Sequence, residues 1–293
     1  MHRLIEELIR ARPVITDGAW GTQLQTLGLA LGECPDSWNV IHPERVKDVA
    51  RRYVDAGSDV ILTNTFRSNR IALAGYGLAS SAVALSRAGV ELSRTAAGSG
   101  VKVFASMGPS GTMLMTGEVG AEEISSAFEE QARAFAAEGA DAIVVETMSD
   151  IEEAKLALAA ARATGLPVVV SMVFDSGREK DRTMMGATVE QVAQELTEAG
   201  ADVVGANCGL GIDGYVPIGK RLRTATDRPI WIKPNAGLPE LVDGAIQYRT
   251  GPDTFASHAL LLRNAGVHFI GGCCGTTPEF IRVLKTAFSR EAG

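Results

Sequence analysis

Three of the chain's four cysteines follow two short apolar runs, at Cys208 and at the adjacent pair Cys273 and Cys274. Cys208 closes Val203-Val204-Gly205-Ala206-Asn207-Cys208, and the pair closes Phe269-Ile270-Gly271-Gly272-Cys273-Cys274. Thiolates are ligands for Zn²⁺, and three of them leave one tetrahedral position open, the arrangement of a catalytic rather than a closed structural site. A zinc held by three thiolates is electron-rich and activates water poorly. It suits different chemistry, in which the metal lowers the pKa of a substrate thiol while leaving the thiolate nucleophilic. Two other readings of these residues stay open here. Free cysteines often serve as small buried hydrophobes. A vicinal pair can also be redox-active, although adjacent cysteines reach disulfide geometry only with strain. Cys34, in Gly32-Glu33-Cys34-Pro35, lies outside the set and is expected to be dispensable.

Elements far apart in sequence must bring these thiols together, and a recurring phrase identifies them. Ala56-Gly57-Ser58-Asp59-Val60-Ile61-Leu62 leads to Thr63-Asn64-Thr65. Glu138-Gly139-Ala140-Asp141-Ala142-Ile143-Val144-Val145 leads to Glu146-Thr147. Ala199-Gly200-Ala201-Asp202-Val203-Val204 leads to Asn207-Cys208, and Ala265-Gly266-Val267-His268-Phe269-Ile270 leads to Cys273. Each glycine is placed to end a helix in the left-handed conformation. Each apolar run is short, continuous and partly β-branched, as a parallel strand buried on both faces should be. Four further strands are expected at 14–17, 101–106, 167–174 and 229–234.

Helical segments separate the strands. Pro43 opens one whose apolar face carries Val46, Val49, Ala50, Tyr53 and Val54. Ser149 with Glu152, and Thr188 with Gln191, read as capping boxes, and Thr277-Pro278 opens the last helix. Strict alternation predicts an α/β fold with a parallel sheet. Eight strands in 293 residues favour a single (β/α)₈ TIM barrel, one domain over 1–293, above an open doubly wound sheet. Active sites of such barrels lie at the C-terminal strand ends. There fall Asp17, Asn64, Glu146, Asn207, Cys208, Asn235, Cys273 and Cys274.

The composition, 46% hydrophobic and 22% charged, is that of an ordinary globular protein. A formal net charge of −7 argues against a nucleic-acid partner. No apolar run reaches the roughly 18 residues of a membrane span. The start, Met1-His2-Arg3-Leu4-Ile5-Glu6-Glu7-Leu8, lacks the basic and apolar regions of a signal peptide. A cytoplasmic location is expected, where clustered cysteines more often mean metal or catalysis than disulfides.

The motifs resemble those of the zinc-dependent homocysteine S-methyltransferases. That family includes betaine–homocysteine methyltransferase and the homocysteine module of cobalamin-dependent methionine synthase. The matching segments are Asp17-Gly18-Ala19-Trp20-Gly21-Thr22, Thr63-Asn64-Thr65-Phe66, Gly108-Pro109-Ser110-Gly111, Glu146-Thr147-Met148, Gly205-Ala206-Asn207-Cys208, Pro234-Asn235-Ala236-Gly237 and Gly271-Gly272-Cys273-Cys274-Gly275-Thr276. The Asn-Cys and Gly-Gly-Cys-Cys-Gly motifs are the specific ones. The resemblance implies methyl transfer to the thiol of homocysteine, giving methionine. Cys208, Cys273 and Cys274 would be the zinc ligands, and the substrate thiol would take the fourth position. Asp17 and Glu146 would hold the substrate ammonium, as acceptor-only groups suit. The backbone N–H groups of Gly18, Ala19 and Gly21 would suit its carboxylate, with Asn64 and Asn207 as further substrate contacts. For Asp17 a turn-forming role before glycine, and for Glu146 an ion pair at the rim, are the plainer alternatives.

The donor is less legible. The chain has no Asp-x-His-x-x-Gly cobalamin motif, so a corrinoid would come as free methylcobalamin or on a separate protein. Betaine needs aromatic faces around its cation. Arg67 and Thr147 stand where the betaine enzymes place tyrosines, although Trp20, Trp38 and Tyr215 remain candidates for a partial cage. A methylated corrinoid is therefore the expected donor, with a sulfonium such as S-methylmethionine, or another small thiol as acceptor, as alternatives. A non-catalytic or redox zinc-binding barrel is the alternative of a different class. Gly209-Leu210-Gly211-Ile212-Asp213-Gly214 has dinucleotide-motif spacing but is expected to be a flexible metal-site loop. Asp175 to Gly186 reads as a lid or a solvated loop. His268 is expected to be packed within a strand and His258 to lie on an outer helix.

Overall fold

The structure, a computed structural model, describes residues 1–10, 13–242 and 245–290. The recurring phrase does two things in it. Gly57, Gly139, Gly200 and Gly266 end helices with φ of +99°, +81°, +93° and +84°, a region glycine enters without steric cost. The polar residue two positions on then stitches neighbouring strands. The carboxylates of Asp59, Asp141 and Asp202 accept the backbone N–H groups of Ile15, Val103 and Val168 at 2.9, 2.9 and 3.1 Å. In the fourth copy His268 replaces the aspartate, its Nδ1 accepting from Ile230 N–H at 3.1 Å. Burial, with Arg223 nearby, lowers the pKa of His268 and keeps the ring a neutral acceptor.

The strands are β1 (Val14–Ile15), β2 (Val60–Ile61), β3 (Lys102–Met107), β4 (Ala142–Met148), β5 (Val168–Met172), β6 (Val203–Gly211), β7 (Ile230–Asn235), β8 (Pro239–Val242), β9 (Ala245–Tyr248) and β10 (Phe269–Ile270). Eight of them form one parallel sheet in the order β1-β10-β7-β6-β5-β4-β3-β2. A parallel bridge between Thr16 and Val60 joins its two edges, so the sheet closes into the expected (β/α)₈ barrel. β8 and β9 are a separate antiparallel hairpin after β7, an element the sequence pattern does not announce. Asp243 and Gly244, between its strands, lie outside the described residues.

Period-two alternation along the strands builds two cores. Outward residues such as Ile61, Val103, Ile143, Val170, Val204 and Ile232 pack under the helices. Inward residues Val14, Val60, Leu62, Phe104, Val144, Val169, Val203, Trp231 and Phe269 fill the barrel. Trp231 stacks on Phe104 at 6.2 Å between ring centroids. Ile5, on the Arg3–Ile9 helix, joins this inner core, and His2 N–H bonds Asp202 at a strand start. The first helix thus plugs the N-terminal end and leaves the C-terminal end open.

The helices Pro43–Ala56 and Pro278–Arg290 begin at the expected prolines. Thr188 and Gln191 form a reciprocal capping box. Ser149 does not cap the Ile151–Arg162 helix. Asp150 does, its extended backbone letting the carboxylate accept Glu152 N–H at 2.9 Å. The Gly209–Gly214 segment is not a loose loop: β6 runs to Gly211 and the Ile212–Ala225 helix opens directly after it. The 175–186 segment is tied down. Arg182 bridges Ser176 and Thr188, and Arg221 pairs with Asp181 and Glu190 at 2.7 Å each. His258 lies on the outer Pro252–Asn264 helix, as expected. Among the described residues no helix is long and apolar enough to cross a membrane.

Candidate active site

β7 sets the thiols in place. Its Pro234 pairs with Cys208 of β6 on one side and accepts the N–H of Cys273 at 2.7 Å on the other. Cys208 has φ +62°, a left-handed conformation that costs a non-glycine residue energy, and the β6–β7 register shifts just beyond it. This bulge turns the Cys208 side chain towards the pair after β10. The three Sγ atoms lie within 4.8 Å of one another. A tetrahedral zinc with Zn–S of about 2.3 Å needs S···S of about 3.8 Å, so a slight contraction suffices.

The electrostatics also suit a cation. Hydrogen bonds from Cys273 and Cys274 pull the Cys208 thiol well below its usual pKa, and the same hydrogen bonds to Cys208 drive Cys273 and Cys274 up. Cys208 is thus the thiol most ready to ionise, and a bound cation would favour the thiolate form at all three. The Asn235 amide also bonds Cys208, while its carbonyl oxygen is buried without a partner, a further donor atom beside the thiols. The hairpin closes the far side. Gly275 has φ +80°, and a Cβ there would lie 2.2 Å from the Tyr248 ring, so only glycine admits this packing. Burial, with the thiols nearby, pushes Tyr248 up to about 12.

A polar layer crosses the barrel above the Trp231 floor. Two residues beyond Trp231, Lys233 points inward, buried, and ion-pairs with Asp17. The other Asp17 oxygen accepts from Trp20 Nε1 and Leu62 N–H at 2.7 Å each. Glu146, two residues beyond inward Val144, accepts from the Ser106 hydroxyl. Burial raises its pKa, with Lys233 opposing the rise. Thr147, at φ +61°, and a register shift between Val145 and Met148 mark a second bulge beside it. Asn207 braces that bulge. Its carbonyl accepts Thr147 N–H at 2.9 Å and Ser171 Oγ at 2.7 Å, and its amide donates to Thr147 Oγ1 at 2.7 Å.

Both sets meet in one cavity of about 340 Å³ at the barrel mouth. Cys208, Cys273, Cys274, Glu146, Lys233 and Asn64 line it, together with Gly18, Ala19, Gly21, Trp20, Phe66 and Asp36. The volume fits an amino-acid-sized ligand. Two of the expected contacts are not on its wall. Asn207 is wholly buried in the brace just described, and both Asp17 oxygens have internal partners. Ala19 N–H is already donated to Thr276 Oγ1 at 3.1 Å. The aromatic cage is also incomplete. Trp38 and Tyr215 are buried away from the cavity, Tyr215 donating to Asn207 O at 2.9 Å, so Trp20 and Phe66 are the aromatic rings on its wall. Arg67 is at the mouth but turns outward to Tyr76 Oη at 3.0 Å. Cys34 lies in a separate apolar cluster with Leu73, Ala82 and Leu85.

The motifs leave out Lys233, Ser106, Tyr248 and Asp36. Period two marks the first two, as the inward positions after Trp231 and Phe104. Asp36 is fully buried on the cavity wall, accepting Arg67 N–H at 2.9 Å, and burial raises its pKa to about 7.

Fold and site together define a barrel with a cluster of three thiols that could hold a metal ion, in an amino-acid-sized cavity at its C-terminal mouth. The chain belongs to the homocysteine S-methyltransferase family, whose model matches residues 14–288. It is 31% identical to the methionine synthase of Mycobacterium leprae (strain TN), over 97% of this chain and 25% of that protein. It is 32% identical to the methionine synthase of Mycobacterium tuberculosis (strain ATCC 25618 / H37Rv), over 96% of this chain and 25% of that protein. The chain thus spans about a quarter of the length of these curated relatives. In fold it matches the metallated form of the homocysteine methyltransferase MmuM from Escherichia coli, with a TM-score of 0.80 at 23% identity, over 97% of this chain and 98% of that one.

Proposed function

We propose that this chain binds zinc through Cys208, Cys273 and Cys274 and transfers a methyl group to the thiol of homocysteine, giving methionine. The observation that carries the reading is the opening of a three-thiol cluster into the same small cavity as Glu146. Bound zinc would supply a Lewis acid that lowers the substrate thiol's pKa while leaving it nucleophilic. The chain's own groups do the rest. Glu146, held by Ser106, accepts the substrate ammonium, and the bulge at Thr147 aims it. Trp20 and Phe66 keep water from the reacting sulfur.

For the donor we favour a methylated corrinoid, free or on a separate protein. The similarity to methionine synthases supports this; the cavity is too small for a macrocycle, which would dock at the mouth. The incomplete aromatic wall weighs against betaine. One observation favours a second reading. Asp36 is a buried carboxylate on the wall whose neighbour Arg67 turns its guanidinium away, and an acid so placed suits a sulfonium donor. Zinc-loaded protein given homocysteine with each donor, with methionine followed, tests both. Turnover with methylcobalamin or a methylated corrinoid protein supports the first reading, turnover only with S-methylmethionine supports the second, and faster turnover with betaine contradicts both.

A further inference from the structure

Thr276 sits behind the thiols and clasps two turns of the barrel mouth together. It is wholly buried, and its hydroxyl is used in both directions. It donates to Cys273 O at 2.8 Å and accepts Ala19 N–H at 3.1 Å. A second link runs beside it, from Gly272 N–H to Asp17 O at 3.0 Å. On the outer side Tyr53, of the Pro43–Ala56 helix, donates to Ala19 O at 2.7 Å. The turn after β10, which carries Cys273 and Cys274, is thus fastened to the turn after β1, which carries Trp20. Glycines make the fit tight. A Cβ on Gly272 would lie 2.4 Å from Thr276 Oγ1, and one on Gly18 would lie 2.7 Å from both Thr276 Oγ1 and Tyr53 Oη.

The clasp joins a thiol to an aromatic wall. Cys273 and Trp20 both line the cavity, and Trp20 follows Ala19 directly in the chain. Trp20 is fixed at its other end, where Nε1 donates to Asp17 at 2.7 Å. Gathering the three thiols closely around a cation shifts the Cys273 backbone, because the cluster must contract. Close packing leaves little slack around Thr276 to absorb that shift, so the hydroxyl passes it to Ala19 and on to Trp20. Without the hydroxyl, Ala19 N–H would be buried with its partner gone, and the two turns would be free to settle independently.

We propose that Thr276 is a positioning residue that couples the thiol cluster to Trp20, so that uptake of a metal ion and the setting of the cavity's apolar wall are one event. This rests on the reading that Cys208, Cys273 and Cys274 bind zinc. The test is a zinc titration followed by tryptophan fluorescence, with a competing chelator giving dissociation constants. Zinc itself is silent, the other two tryptophans, Trp38 and Trp231, are buried, and Trp20→Phe supplies the background. Wild type is expected to show a zinc-dependent change in emission that Trp20→Phe lacks. Thr276→Val keeps the side-chain shape and removes the hydroxyl. It is expected to lose the Trp20 response and to bind zinc about tenfold more weakly, the lower end of what outer partners of metal ligands contribute. Thr276→Ser, which keeps the hydroxyl, is expected to restore the response and to bind zinc within about threefold of wild type. A full Trp20 response in zinc-loaded Thr276→Val would overturn the coupling, whatever the affinity, and so would loss of the response in Thr276→Ser. Hydrogen exchange on wild type needs no variant: the Asp17–Gly21 segment is expected to exchange more slowly with zinc bound, and unchanged exchange there would overturn the coupling while leaving the metal site standing. Wild type that binds no zinc would overturn both.

Discussion

The two walls of the cavity are built on opposite principles. The sulfur wall, from β6 and the turn after β10, gathers three thiols whose mutual hydrogen bonds lower the pKa of Cys208 and raise those of Cys273 and Cys274. The charged wall, from the β1 end, β4 and β7, matches Asp17 to Lys233, while Glu146 accepts from a hydroxyl and an amide with Lys233 near enough to favour its charged form. On the proposed function the sulfur wall would take a metal, while the charged wall is largely compensated by its own Asp17–Lys233 pair. Residues of similar burial therefore have different consequences when removed.

The largest expected effect breaks the sulfur wall. Cys208→Ser or Cys273→Ser should weaken zinc binding by more than about a hundredfold, since even outer partners of metal ligands contribute about 10–100-fold, and should abolish methyl transfer. Cys34→Ser, in its separate cluster, should leave zinc content unchanged in metal analysis. On the charged wall, Asp17→Asn strands a buried lysine and should cost about 3–5 kcal/mol of stability. Thermal unfolding checks this, and zinc content in the folded protein should persist.

Glu146→Gln sharpens the contrast further. It should weaken homocysteine binding by about 10–100-fold with zinc retained. Burial raises the Glu146 pKa, so wild-type affinity should fall as pH drops through that raised value, whereas the Gln variant should show a flatter profile. Simultaneous loss of zinc would mean that Glu146 supports the sulfur wall instead.

The smallest effect concerns Asp36, whose pKa rises from 3.8 to about 7 on burial. Between those values the native protein holds a proton that the unfolded chain has released, so stability falls as pH climbs and stays lower above pH of about 7. Asp36→Asn keeps the acceptor for Arg67 N–H and removes the charge. It should raise the melting temperature at a pH about one unit above that raised value and change it little only below the ordinary value of 3.8, which differential scanning fluorimetry would show.

The difference between the walls also explains what sequence can reveal. Three cysteines at the ends of apolar runs are legible because thiols beside glycines have few other uses, and barrel closure supplies the proximity. The repeated Gly-x-Asp phrase marks alternate strands of the barrel, and the structure adds that its aspartates, and His268 in the fourth copy, tie each of these strands to the barrel strand before it. Asp17 and Asn207 read as substrate contacts in the sequence because strand-end position does not tell whether a polar group is already engaged. Asp17's partner is 216 residues away, on a strand separated from β1 by β10, and nothing local in the sequence points to it. The β8–β9 hairpin is hard to see because its strands are short and lie outside the alternating strand–helix pattern of the barrel.

The most direct test of the central claim is single-turnover methyl transfer to homocysteine by the zinc-loaded protein, with methionine measured for wild type and for Cys273→Ser across methylcobalamin, a methylated corrinoid protein, S-methylmethionine and betaine. The account predicts methionine from wild type with at least one donor, a methylated corrinoid first, and none from the variant. Zinc-replete wild type that makes no methionine with any donor, or a zinc-free Cys273→Ser that makes it at the wild-type rate, would contradict it.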